Sequence, residues 1–322
     1  MKALRYYAYG PPSVLTLQDV GLPTVGDDDV LVRVRAAGVN AGDLHYLRGT
    51  PYVFRAMAGL SRPKDNGLGA DFAGEVEAVG RNVTALQPGD EVFGCGKGTL
   101  AEYVSVRHDA AVLKKPGNLT FEQAAAAPTA GMTALTGIRD RGRVQPGQRV
   151  LINGAGGGVG TFAVQIAKSL GAEVTGVCGA GKAETVRSIG ADHVLDYTKE
   201  DFTRRSQRYD LILDMGGTHS LAACRHALTP RGAYIPNAGT GGRWFGPMRR
   251  IIGGRLMFLS TSQRLVSYVA LPSRDSLAGL RDLLQDGKIT PVIDRTYPLS
   301  EAPEAIRRLE EGHARGKVVV TM

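Results

Sequence analysis

The segment Arg149–Gly160 constrains the fold of this chain more than any other part. It reads RVLINGAGGGVG and runs directly into TFAVQIAKSLGA. Val150–Ile152 is a short apolar run that reads as a buried strand, and Ala163, Ile166 and Leu170 recur on one face of the helix that follows. Between them, Ala155-x-Gly157-x-x-Gly160 makes a glycine-rich turn. A strand–turn–helix of this kind aims the backbone N–H groups of a helix N-terminus at a pyrophosphate, and a Cβ at the closest approach would block it. A glycine turn alone is a weak signal. The next strand, Glu173–Val177, follows at the interval a dinucleotide-binding unit requires.

Strands and helices continue to alternate beyond it. EVTGVC, a short helix ending near Ile189, HVLDY, DLILD, a helix over Leu221–Leu228 and AYIPNAG come in turn. This order predicts a doubly wound parallel sheet with helices on both faces. The first hundred residues are different. Val14–Val20, Val30–Val39, Phe72–Val79 and Leu100–Val106 read as short strands between turn residues. Near Thr120 the period changes: Phe121–Ala127 is helical, Pro128 interrupts, and Ala130–Arg139 resumes. Past Gly239 the pattern weakens, until helices over Ser276–Gln285 and Glu301–Glu311 lead into a terminal strand, KVVVTM. The expected class is α/β. A β-rich domain over 1–125, completed by 265–322, carries an inserted nucleotide-binding domain at 126–264.

Composition narrows the setting. The chain has 322 residues, enough for two domains, and 43 glycines without a collagen period or a low-complexity tract, which excludes disordered and fibrous classes. Cys95, Cys178 and Cys224 show no CxxC and no pairing rhythm, pointing to a reducing cytosol. The opening MKALRYYAYGPPSV lacks the apolar stretch of a secretory signal, so a cytoplasmic location is expected. The net charge of +8 favours anionic partners, but no nucleic-acid-binding signature accompanies it, and an arginine-rich surface accounts for it.

The end of the second strand speaks to the nucleotide. A free ribose 2′-OH is held by Asp or Glu there, yet this strand ends Val177-Cys178-Gly179-Ala180-Gly181-Lys182. A carboxylate would repel a 2′-phosphate, whereas Lys182 would pair with it. NADPH is expected over NADH.

With these residues in view the chain resembles the medium-chain dehydrogenase/reductase superfamily, in its zinc-independent quinone-oxidoreductase branch. The resemblance spans essentially the whole chain. It rests on AAGVNAGDLHYLRG (Ala36–Gly49), GADFAGEVEAVG (Gly69–Gly80), PGDEVFG (Pro88–Gly94), AAAPTAGMTAL (Ala125–Leu135), the glycine turn, GADHVLDY (Gly190–Tyr197) and GKVVV near the end. It implies a GroES-like catalytic domain, an inserted Rossmann domain and an active site in the cleft between them. It also implies pyrophosphate contacts at Gly156, Gly157, Gly158 and Val159, adenosine-phosphate contacts at Gly179, Lys182 and Tyr197, and nicotinamide-ribose contacts at Ala238 and Gly239. Relatives place serine and arginine where this chain has Gly179 and Gly181, which leaves Lys182 carrying more of the NADPH preference. Where the superfamily's zinc enzymes have their cysteine stands Asn40, and where they have glycine-histidine-glutamate stands Gly69-Ala70-Asp71. The resemblance therefore implies no zinc.

Without a metal, a quinone or an α,β-unsaturated carbonyl is an easier hydride acceptor than an isolated ketone, because the anion formed spreads its charge over a conjugated system that hydrogen-bond donors can stabilise. Asn40 offers an amide donor or stabilises its turn. His45, Tyr46 and Tyr52 are candidate proton donors, and Asp43 fixes the local turn or orients a neighbour. Thr129 and Thr133 hydrogen-bond the nicotinamide amide or cap the helix after Pro128. The apolar and arginine-rich stretch 240–265 reads as a lid, a homodimer surface or a peripheral membrane contact. The alternatives to a quinone or alkenal reductase are an enoyl reductase dedicated to one biosynthetic intermediate, and a nucleotide-binding redox sensor or RNA binder with little turnover.

Overall fold

The structure is a computed structural model and describes residues 1–236, 254, 257–259 and 261–322. It divides into two compact units, Met1–Met132 with Leu271–Met322, and Thr133–Ala270. Ala238, Gly239 and most of the stretch 240–265 lie outside the described residues. No helix among the described residues is long and apolar enough to cross a membrane.

The first unit is built on a seven-stranded sheet. Its strands are β3 (Asp29–Val39), β4 (Asp71–Val79), β5 (Glu91–Cys95), β6 (Tyr103–Arg107), β7 (Val112–Lys114), β14 (Ile293–Pro298) and β15 (Lys317–Thr321). They run in the order β14-β15-β3-β4-β5-β7, with β6 also on β3. A separate ribbon pairs β1 (Lys2–Arg5) with β2 (Thr16–Asp19). Alternating apolar residues such as Val30, Val32, Phe72, Val92, Val104 and Val318 turn to one side and form the core with Ala305 and Ile306 of a C-terminal helix. The C-terminal segment returns as β14 and β15, and β15 pairs antiparallel with β3. Register then places four strand ends in one row: Val318 sits opposite Val39, Gly38 opposite Asp71, and Asp71 opposite Cys95.

After β3 comes α1 (Ala41–Arg48), with Asn40 as its N-cap and the Asp43 carboxylate accepting the Asn40 backbone N–H at 2.8 Å. Helix α2 (Arg55–Ala58) follows. Pro128 does not delay the next helix: α3 (Phe121–Ala126) ends before it and α4 (Pro128–Leu135) begins on it, since the first turn of a helix has no use for the missing N–H.

The second unit holds a six-stranded, wholly parallel sheet in the order β10-β9-β8-β11-β12-β13. Its strands are β8 (Arg149–Asn153), β9 (Glu173–Cys178), β10 (His193–Asp196), β11 (Tyr209–Asp214), β12 (Leu228–Pro236) and β13 (Arg264–Leu265). This is the Rossmann order, in which the chain reverses direction across the sheet between the first and fourth strands, here β8 and β11. Helix α5 (Gly158–Ser169) buries Phe162, Ala163, Val164 and Ile166 against the sheet. Helices α6 (Ala183–Ser188) and α7 (Leu221–His226) complete the crossovers.

Candidate functional site

In the second unit, the turn after β8 separates the glycines by task. A Cβ on Gly160 would lie 2.1 Å from the Gly154 carbonyl oxygen, so this glycine lets α5 approach the chain's own backbone. A Cβ on Gly157 would meet only that same oxygen, at an ordinary 3.4 Å. Nothing among the described residues requires glycine at 157. Gly157 is the N-cap of the twelve-residue α5 and brings no side-chain cap, so the first-turn N–H groups, which have no partners within the helix, are left for a ligand. Such a cradle fits a pyrophosphate.

The neighbouring candidates gather at the same end of the sheet. The aliphatic stem of Lys182 packs over Gly156, where a Cβ would fall 2.7 Å from the Lys182 Cβ. Tyr197 stands 63% exposed, with its hydroxyl 3.2 Å from where a Cβ on Gly179 would be. No acidic residue stands between the end of β9 and Lys182. At the switch point, Asn153 Nδ2 donates to Asp214 Oδ1 at 2.8 Å, joining the ends of β8 and β11. Asp214 also accepts from the Tyr234 hydroxyl at 2.5 Å and from the backbone of Gly217 at 2.8 Å. Thr133 gives its carbonyl to the Tyr268 hydroxyl at 2.7 Å.

In the first unit, the row of strand ends encloses a buried polar cluster whose members are far apart in sequence. Lys317, 3% exposed, sends its ammonium to the Val39 carbonyl at 2.9 Å and to Asn40 Oδ1 at 2.5 Å, and stands 3.7 Å from Asp71 Oδ2. Asp71, fully buried, accepts from Asn40 Nδ2 at 3.0 Å, from the Thr129 hydroxyl at 2.5 Å and from the Thr129 backbone N–H. Cys95 Sγ donates to it at 3.5 Å. Burial pushes the Cys95 thiol well up and Asp71 adds to this, so it keeps its proton. Burial pulls the Lys317 ammonium down, while Asp71 and Asp43 oppose that shift.

The expected amide donor, Asn40, is thus engaged inside the protein: Nδ2 also reaches the Gly38 carbonyl at 3.3 Å, and Oδ1 faces Lys317. His45 is exposed on α1, its Nδ1–H donating to the Thr50 carbonyl at 2.9 Å. The Tyr52 ring packs under the Arg55 guanidinium at 4.8 Å, with Tyr9 on that guanidinium at 4.5 Å.

Burial raises Asp43 to about 7, with Asp71 adding to the rise and the backbone of Asn40 and the charge of Lys317 opposing it. The folded chain therefore keeps a proton there that the unfolded chain releases near pH 4. Its contribution to stability is full below that value and is lost as pH rises through about 7. The unfolding free energy of the parent, measured by urea titration, should fall between pH 5 and 7 by on the order of 1 kcal/mol per pH unit from this group. Asp43→Asn, which keeps an oxygen for the Asn40 N–H, should flatten that slope. Superimposable pH profiles of parent and variant would rule this out.

Comparisons with known proteins agree with this geometry. An alcohol dehydrogenase GroES-like domain model matches residues 26–117, and a zinc-binding dehydrogenase model matches residues 189–320. The mitochondrial NAD(P)H oxidoreductase RTN4IP1 of Mus musculus is 36% identical over 348 residues, covering 98% of this chain and 87% of the relative. The chloroplast envelope quinone oxidoreductase homolog of Arabidopsis thaliana is 31% identical over 337 residues, covering 99% and 98%. The solved quinone oxidoreductase of Coxiella burnetii superposes with a TM-score of 0.87 at 30% identity, covering 100% of this chain and 99% of its own. A GroES-like sheet unit with a Rossmann unit defines an oxidoreductase scaffold of the dehydrogenase kind. The chain belongs to the medium-chain dehydrogenase/reductase superfamily, in its quinone-oxidoreductase branch, and is an oxidoreductase.

The zinc in the name of one matching model does not fit the donor set here. The Lys317 ammonium already stands among Val39, Asn40 and Asp71, where its charge would repel a dication. Among the described residues, no three His, Cys, Asp or Glu side chains come together as metal ligands.

Proposed function

We propose that the protein is a zinc-independent, NADPH-dependent reductase of quinones or α,β-unsaturated carbonyls, working in the cytoplasm. The observation that carries this reading is Gly157, a glycine that no described neighbour requires, at an uncapped helix N-terminus. The three cysteines, all buried thiols, fit a reducing compartment.

The cofactor, when bound, supplies a hydride. The turn's N–H groups would hold its pyrophosphate, and Lys182 would pair with a 2′-phosphate. Thr133, Gly156, Gly158, Val159, Gly179 and Tyr197 complete the proposed cofactor contacts, with Ala238 and Gly239 expected beside them. His45 and Tyr52 are the proposed donors of the proton that neutralises the substrate oxygen. His45 gives its Nδ1–H to the Thr50 carbonyl, which orients its ring. Asn40 acts by position, since its amide hydrogens already have acceptors. Conjugated acceptors suit such a site because a few hydrogen-bond donors suffice for a delocalised anion.

NADPH consumption against a panel of quinones, enones and saturated ketones tests the reading. Conjugated acceptors should react at least about 100-fold faster than saturated ketones, a gap of about 3 kcal/mol in barrier. Equal rates, or no consumption with any acceptor, would overturn it.

Lys182→Met keeps the stem over Gly156 and removes the charge. One charge-assisted contact is worth about 1.5–3 kcal/mol, and the lower half of that range suits a half-buried lysine. The variant should bind NADPH about 10-fold more weakly and NADH almost unchanged. Retention of the full NADPH preference would show that another residue reads the phosphate.

A further inference from the structure

We propose that the second unit carries a separate anion site, which takes a phosphate group, free or as the monoester of a small molecule. The site is a cavity of about 530 Å³ whose lining includes Arg208, Arg225, His226, Thr261 and Gln263.

Topology separates it from the glycine turn. All six strands are parallel, so their ends define two opposite edges of the sheet. The turn at Gly154–Gly157 follows the C-terminal end of β8, whereas Arg208 immediately precedes β11 and Leu228, also in the cavity lining, begins β12. The cavity therefore opens at the N-terminal edge, away from the edge where open α/β sheets bind their nucleotides.

Charge then selects the ligand. Among the described arginines of this unit, Arg139, Arg204 and Arg205 have carboxylate partners in Asp140, Asp201 and Glu200. Among the described residues, no carboxylate lies within ion-pair distance of Arg208, Arg225 or His226. Both guanidiniums are instead held by neutral acceptors. Arg208 Nη1 donates to the carbonyls of Arg205, Ser206 and Gln207 at 2.6, 2.9 and 3.1 Å. Its Nη2 lies 3.0 Å from His226 Nε2, an arrangement in which that ring nitrogen accepts. Arg225 Nη1 donates to the Met257 carbonyl at 2.9 Å. Gln263 Nε2 donates to the Arg225 and Thr229 carbonyls at 3.2 and 3.1 Å, which fixes the loop beside it.

Two guanidiniums are thus fixed in place with their charge uncompensated, and each retains N–H groups beyond those bonds. A preorganised pair of forks suits a phosphate dianion, which accepts from both at once. A concave site of this size suits a small molecule, whereas a nucleic acid needs an extended basic face.

The test is titration of inorganic phosphate, and separately of glycerol 3-phosphate, into the whole protein at ionic strength held constant with chloride. Amide resonances of Thr261 and Gln263 and the thermal midpoint are followed together. The expected result is saturable shifts at both amides, at least 10-fold weaker in Arg225→Gln and in Arg208→Gln and unchanged in Gly157→Val. Saturation by inorganic phosphate alone identifies a free-anion site, and tighter binding of the ester identifies a monoester site; either supports the proposal. The resonances of the parent keep the test decisive if a variant misfolds. Absence of saturable shifts in the parent, equal binding by a folded Arg225→Gln, or loss of the response in Gly157→Val would overturn it.

Discussion

Replacing Lys317 by methionine is expected to cost about 3–5 kcal/mol of folding stability, because it leaves Asp71 buried without its cation. Two further acceptors also lose their donor, the Val39 carbonyl and Asn40 Oδ1. The cluster spans β3, β4, β5 and β15, so the loss should appear as faster amide exchange in β3 and β15 as well as a lower urea midpoint. Adding Asp71→Asn to Lys317→Met should recover a large part of the loss, since the uncompensated charge disappears while Asn40 and Thr129 keep an oxygen to donate to. A midpoint for Lys317→Met equal to the parent's, or a double variant worse than the sum of the single ones, would contradict this account of the cluster.

Gly160→Ala should be nearly as damaging, at about 3 kcal/mol, and confined to the second unit. The new Cβ would sit 2.1 Å from the Gly154 carbonyl oxygen and 2.8 Å from the Ala155 backbone, and neither can swing aside as a side-chain tip would. The turn must open, moving α5 off β8. Gly157→Ala, three residues earlier, should cost less than about 1 kcal/mol, since alanine is only a poorer N-cap there. Amide exchange in β8 separates the two: protection should collapse in the first variant and persist in the second. Equal losses in both would show that the two glycines do one job.

The contrast between the two units explains what could be read from the chain itself. The glycine turn, α5 and β9 lie within thirty residues of sequence, so turn chemistry and helical period announce them locally. The alternation that follows predicts the parallel sheet, while its strand order is seen only in the structure. The buried cluster leaves no such trace. Lys317 opens a run, KVVVT, that reads only as a terminal strand, and its partners Asn40 and Asp71 lie far off in sequence. Only the sheet register brings them together, and period says nothing about register between distant strands. Asn40 and Asp43 did carry a signal, the N-cap and N3 pattern of a helix start, but α1 has too weak an apolar stripe to confirm it. His45 and Tyr52 share that region, which is why a proton donor could be narrowed to a segment and not to one side chain. β1, β5, β7, β13 and β14 were missed because none carries enough apolar alternation to announce a strand, and each takes its place from its neighbours.

The most direct test of the nucleotide reading is equilibrium titration of NADPH, followed by its own fluorescence, into the parent and Gly157→Val. At this position φ is −93° and ψ 176°, extended backbone that valine adopts readily, so the urea midpoint should barely move. The side chain would fill the space kept for the pyrophosphate and shield the α5 N–H groups, a loss of about 3 kcal/mol. The account predicts saturable binding by the parent and a dissociation constant at least about 100-fold higher in the variant. A folded Gly157→Val that titrates NADPH like the parent would contradict it.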